Sequence, residues 1–188
     1  MDVISVNCAS ATLRRIEGKD VLTAIGKRAV SGPVAVHALG LEGDDQADRT
    51  VHGGLAKAVY AYSVKHHPFW QTVRAQARVA AWDAPLWPGA MGENLSVDGI
   101  DETQLWVGDR LQGPGCTLVV SEPRLPCFKF AEAMGFAQAV KLMVQSGYCG
   151  FYLAVLHAGT VTAGDHFELI PGPREVGLLE LFRARART

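Results

Sequence analysis

The segment Pro123-Arg124-Leu125-Pro126-Cys127-Phe128-Lys129 holds one thiol among two prolines and two cations. Proline fixes φ and lacks an N–H, so the strand-like Thr117 to Ser121 before it is expected to end here in a stiff loop, with Cys127 at a strand end. Arg124 and Lys129 nearby favour thiolate over thiol, the form that attacks electrophiles or ligates a metal. A small buried hydrophobe is the competing account, because most free cysteines are that. A second polar cluster runs from Gly40 to Gly54 and on to Lys57, where Arg49, His52 and Lys57 can donate to an anionic or heteroaromatic group and the glycines permit close backbone approach. Met91-Gly92-Glu93-Asn94 adds a carboxylate and an amide that could read both edges of a ring. Gly147-Tyr148-Cys149-Gly150 either reverses the chain or offers backbone N–H groups to an anion, and its turn residues favour reversal.

These segments need elements to carry them, and the composition indicates short strands. Twenty glycines in 188 residues exceed the roughly 13 expected at about 7% usage, which marks frequent turns. Strands are expected at Asp2 to Val6, Val21 to Ile25, Val34 to Ala38, Ala58 to Tyr62, Gln104 to Val107, Arg110 to Gln112, Cys116 to Ser121, Phe151 to Leu156 and His166 to Ile170. Gly108-Asp109 reads as a tight turn. A helix starts near Pro68 with Phe69, Trp70, Val73 and Ala77 on one stripe, and a second covers Phe136 to Gln145 with Gly147 beyond its end. Helices do not alternate with strands, which disfavours a βαβ dinucleotide fold.

Several function classes lose support at this level. Eighteen basic against nineteen acidic residues give a net charge of −1, without the basic cluster a nucleic-acid footprint needs. No apolar run approaches the roughly 18 residues of a membrane span, and no signal segment stands at the start, so no membrane partner is expected and the cytoplasm is the expected compartment. Cys8, Cys116, Cys127 and Cys149 form no Cys-x-x-Cys pair, and the histidines show no zinc spacing. Neither Gly-x-Gly-x-x-Gly nor a P-loop is present, so a redox function would import its electrons.

Taken in order, Gly40-Leu41-Glu42-Gly43-Asp44, Val51-His52-Gly53-Gly54, Gly92-Glu93-Asn94-Leu95, Gly108-Asp109, the Cys127 segment and Gly147-x-Cys149-Gly150 resemble the MOSC domain family, in its YiiM-like branch. The resemblance implies a β-rich α+β fold with a barrel-like core and a few inserted helices, spanning residues 1–170, and a tail at 171–188 forming one helix in place of a longer helical domain. It further implies a molybdenum cofactor (molybdopterin) with Cys127 as catalytic residue and metal ligand, a role that suits a soft thiolate. Arg49, His52, Gly53, Gly54, Lys57, Glu93, Asn94, Gly147 and Cys149 would line the pterin or substrate side, with Arg124 and Lys129 balancing the cofactor's charge. Tyr148 departs from the Arg or Lys usual there. The implied reaction reduces N-hydroxylated small molecules to amines with electrons from a separate flavin reductase; a persulfide sulfur carrier and a non-catalytic small-molecule-binding domain are the alternatives. The resemblance leaves a monomer and a homodimer equally open.

Overall fold

The computed structural model describes residues 1–47 and 53–186. The fold is a strand-rich α+β arrangement with thirteen strands and four α-helices among the described residues. The strands are β1 (Asp2–Cys8), β2 (Thr12–Ile16), β3 (Lys19–Thr23), β4 (Arg28–Val30), β5 (Val34–His37), β6 (Gly40–Leu41), β7 (Val59–Ser63), β8 (Leu95–Asp98), β9 (Arg110–Gln112), β10 (Thr117–Pro123), β11 (Phe151–His157), β12 (Gly159–Val161) and β13 (Glu168–Ile170). The helices are α1 (His67–Gln76), α2 (Phe128–Met134), α3 (Ala139–Ser146) and α4 (Leu178–Arg185).

Eight strands form one sheet in the order β13-β9-β10-β11-β7-β8-β1-β4. All its pairings are antiparallel except β7 with β8. A three-stranded sheet β12-β5-β6 and the hairpin β2-β3 stand apart. No closed barrel is formed among the described residues; in place of the expected barrel-like core stands the large mixed sheet. Val3 N–H donates to Asp165 O at 2.9 Å and the Met1 ammonium to Phe167 O at 2.9 Å, so β1 meets the segment that leads into β13 without a continuous ring of strands.

Period-2 alternation along β7 divides the protein into two cores. Val59 and Ala61 face an aliphatic core with Val97, Leu118, Val120, Phe151 and Leu153. Tyr60 and Tyr62 face the other side, where Trp70 of α1, Phe130 and Met134 of α2, Met143 of α3 and Phe182 of α4 cover the sheet. All five residues of β7 are buried as a result. Trp70 Nε1 donates to Tyr62 Oη at 2.6 Å, which satisfies the indole and ties α1 to the strand.

Two expected strands need correction, and one helix must be added. Gln104 to Val107 is not a strand: Glu102–Gln104 make a 3₁₀ turn, because Asp101 accepts from Thr103 N–H at 2.9 Å and Gln104 Oε1 accepts from Asp101 N–H at 3.1 Å. Reciprocal side-chain bonds of this kind favour a helical start over an extended run. The strand placed at Val21 to Ile25 is β3, shifted toward the N-terminus by its pairing with β2, a partner missed because four of its five residues are exposed and show no apolar alternation. α2 was also missed; it begins one residue after Cys127 and ends at Gly135 in the left-handed region, φ 83°.

Phe182 is fully buried in the helical core. Phe182→Ala should lower stability by about 3–5 kcal/mol in urea denaturation, the usual cost of emptying such a site; a loss below about 1 kcal/mol would make α4 peripheral. A pH effect is expected at α1. His67 Nε2 is buried without a partner among the described residues, and burial, reinforced by His66, pulls its pKa from 6.5 down to about 4. The unfolded chain takes up this proton first. The stability from a neutral His67 is therefore complete above pH 6.5 and drains away as pH falls toward 4. His67→Gln should flatten that part of the stability profile in melts at stepped pH, and an unchanged slope would contradict the assignment.

Candidate functional site

Cys127 sits where β10 hands over to α2. Pro123 closes β10 opposite Phe151, and the backbone at Cys127 is extended at φ −135° and ψ 176°. Its carbonyl accepts from Phe130 N–H at 2.9 Å and so starts the helix, while its side chain caps nothing. The thiol is thus left half-buried at the wall of a solvent-open cleft. Thr23 to Ile25 and Lys27, the loop Asp44 to Ala47, Lys57 with Tyr60, Gly92 with Asn94, and Tyr152 form the rest of that wall with Arg124 and Lys129.

Among the described residues four cations (Lys27, Lys57, Arg124 and Lys129) and two carboxylates (Asp44 and Asp45) line the cleft. Arg124 is the most enclosed of these four, at 4% exposure, with its guanidinium 5.1 Å from the ring centres of both Tyr60 and Phe130. Burial works against its charge, but Tyr60, Tyr152 and Cys127 outweigh burial and hold its pKa above the ordinary arginine value. Its Nη1 has no hydrogen-bond partner among the described residues. A buried donor left unmade costs free energy, so it marks a place where a ligand group would be welcome. Lys129 Nζ donates to Leu22 O at 3.0 Å, and Lys57 Nζ stands 4.0 Å from Glu122 Oε1 and 5.8 Å from the centre of the Tyr152 ring.

Of the residues expected at the site, Cys127, Lys57, Asn94, Arg124 and Lys129 meet in this cleft. Asn94 lines it with its amide already engaged: Oδ1 accepts from Tyr60 N–H at 3.0 Å, and Nδ2 donates to Asp44 Oδ2 at 2.8 Å and to Asn7 O at 3.3 Å. It holds the wall instead of reading a ligand. Glu93 does not line the cleft. It is fully buried, accepting from Gly89 N–H at 2.7 Å, Met91 N–H at 2.9 Å and Ser96 Oγ at 2.7 Å, with burial raising its pKa. Gly54 reaches the site indirectly, its N–H donating to Gln46 Oε1 at 3.1 Å; Gly53 precedes it and does not line the cleft. Gly147 ends α3 in the left-handed region at φ 77°, and Cys149 is fully buried with its carbonyl accepting from Tyr60 Oη at 2.8 Å. These two support the floor from behind. Arg49 and His52 lie outside the described residues. Tyr148 stacks on His66 at 3.9 Å, and His66 pairs with buried Glu102 at 2.7 Å.

Sequence reasoning missed Lys27, Tyr60 and Tyr152. The alternation along β7 and β11 was available for the tyrosines: each lies out of phase with the aliphatic residues of its own strand. Lys27 had no such signal.

The MOSC domain family model matches residues 48–168. The chain is 37% identical over 168 residues to the uncharacterized protein YflK of Bacillus subtilis (strain 168), a match covering 89% of this chain and 72% of that one. It is 35% identical over 165 residues to protein YiiM of Escherichia coli (strain K12), covering 87% and 70%. A Gibberella moniliformis protein named Reductase is 33% identical over 157 residues, covering 83% of this chain and 27% of that much longer one. The crystal structure of YiiM from Geobacillus stearothermophilus superposes with a TM-score of 0.77 at 27% identity, covering 98% of this chain and 83% of the other.

The four cysteines differ sharply in environment. Cys116 and Cys149 are buried. Burial pushes Cys149 well up, and burial with Asp165 pushes Cys116 to about 11. Burial, then Asp44, raises half-buried Cys8 to about 11 as well. At pH 8 such thiols are about one part in a thousand thiolate. Limited iodoacetamide treatment at pH 8 should therefore alkylate Cys127 first, as read by peptide mass spectrometry; earlier labelling of Cys8 would count against Cys127 as the accessible nucleophile.

Proposed function

The chain belongs to the MOSC domain family, in its YiiM-like branch, and on that premise we propose that the Cys127 cleft holds a molybdenum cofactor and reduces N-hydroxylated small molecules to amines. The residues present fit such a group. Cys127 is a single soft donor, and among the described residues no three His, Cys, Asp or Glu converge on a metal. That donor set matches a metal that brings its remaining ligands with it. The observation that carries the reading is the buried Arg124 guanidinium, with Nη1 unpaired among the described residues, in the same wall as Cys127.

When bound, the cofactor would supply the two-electron redox step. Cys127 would ligate the metal, and the short connection from Pro123 into α2 would fix the sulfur. Arg124, Lys57 and Lys129 would face the anionic pterin, where charge-assisted hydrogen bonds are stronger than neutral ones. Tyr60 and Tyr152, 5.3 Å apart at their ring centres, would form an apolar floor for a flat group. Conversion of an N-hydroxylated compound to its amine takes up two electrons and two protons and releases water. The electrons would come from a separate reductase, and the Gibberella relative's name is consistent with reductive chemistry in the family.

Protein purified from molybdate-replete cells should carry molybdenum, and Cys127→Ser should bring metal content and amine formation to background while leaving the melting temperature near that of the parent. Metal retained in full by Cys127→Ser would overturn this reading. A persulfide on Cys127 in metal-free protein would replace it with sulfur carriage.

A further inference from the structure

Lys27 stands between β3 and β4 and belongs to none of the polar motifs, yet its side chain is 8% exposed and lines the same cleft as Cys127. Its ammonium forms a buried ion pair with Asp44. Asp44 is fixed in turn: Oδ1 accepts from Ala9 N–H at 2.9 Å and Oδ2 from Asn94 Nδ2 at 2.8 Å. The Lys27 backbone is gripped from the other side. A side chain at Gly89 would bring its Cβ within 2.6 Å of Lys27 O, so the turn packs directly on this residue, and Glu93 holds the Gly89 N–H at 2.7 Å.

Taking an ammonium and a carboxylate out of water costs several kcal/mol per ion, and an apolar pair of the same volume is often as stable. Stability alone therefore gives little reason to keep such a pair in a cleft wall. An ammonium carries three N–H groups. Among the described residues Asp44 is the one acceptor on Nζ, so two donors remain at the wall.

We propose that Lys27 is a ligand-contacting residue whose ammonium binds anionic oxygens of a phosphate group on the ligand, with Asp44 as the positioning residue that fixes it. A tetrahedral oxyanion offers several acceptors at once, which suits a donor that is held in place and incompletely used. The identity of the molecule carrying the phosphate rests on the cofactor reading above; the phosphate could equally be carried by a phosphorylated substrate.

The test uses the full chain as wild type, Lys27→Arg and the double variant Lys27→Met with Asp44→Asn, which removes both charges together. Binding of radiolabelled inorganic phosphate is measured by equilibrium dialysis on metal-free protein, and pterin and molybdenum per chain on protein from molybdate-replete cells. Wild type should bind phosphate and the double variant should lose about tenfold or more in affinity, as expected when a charge-assisted bond is removed. Lys27→Arg should keep most of it. A parallel fall in pterin assigns the phosphate to the cofactor, whereas unchanged pterin assigns it to the substrate. Should the double variant fail to fold, the phosphate-induced shift of the Lys27 ammonium resonance in wild type, assigned with Lys27→Arg, reads the same contact. No phosphate binding by wild type, an unmoved Lys27 resonance, or a folded double variant within about twofold of wild type overturns the proposal. Lys27-dependent phosphate binding in a wild type that never acquires molybdenum would leave this proposal standing and remove the cofactor reading.

Discussion

Asn94 joins parts of the chain that are far apart in sequence, and the cleft exists because it does. Its N–H donates to Tyr60 O at 2.8 Å, its Oδ1 accepts from Tyr60 N–H, and its carbonyl accepts from Asn7 N–H at 2.7 Å. These bonds align the start of β8 between β7 and β1, at the one parallel pairing of the large sheet. The amide that completes them also holds Asp44, and through Asp44 the ammonium of Lys27. Every one of these groups is removed from bulk water, so losing any one bond would leave its partner bare. An apolar residue at this position would strand a backbone N–H, a carboxylate oxygen and a carbonyl together.

The second dependence is geometric. Gly150 has φ 67°, and a Cβ there would come within 2.6 Å of both Ala61 O and the Tyr60 ring. Its N–H donates to Glu102 Oε1 at 2.5 Å, and the same carboxylate pairs with His66. Tyr60 is therefore pressed from behind by a residue with no side chain, and Arg124 lies across its ring. The position of the buried cation is set by a loop that never reaches the cleft.

Much of the frame could be read from residue order. β1, β5, β7, β9, β10 and β11 fall where β-branched and aromatic residues concentrate, and Pro68 and Gly147 bound helices as their backbone preferences require. The polar motifs identified Cys127, Arg124, Lys129 and Lys57 as neighbours because their types and spacing depart from simple packing. What escaped has more than one cause. β2 is mostly exposed, so no apolar period marks it, and β8 is four residues long with its first three buried, so no alternation marks it either. The engagement of Glu93 and Asn94 with backbone groups depends on three-dimensional partners that spacing does not encode, and carboxylates and amides look alike in sequence whether they face a ligand or a turn. Lys27 is an ordinary lysine until Asp44 is brought to it from 17 positions away.

The wall of the cleft draws on residues from Thr23 to Tyr152, and the Met1 ammonium is tied to Phe167. Such distant pairings make for slow, late-closing folding, since loop-closure entropy must be overcome before the contacts reward it. During synthesis, a ribosome that has released only the first hundred residues has made β7 and β8 but neither the thiol nor the guanidinium that belong beside them. A fragment that stops before Tyr152 lacks part of the wall. An occupant of the cleft therefore meets its complete set of contacts only after most of the chain has been made, and is a poor candidate for the nucleus around which the sheet first forms.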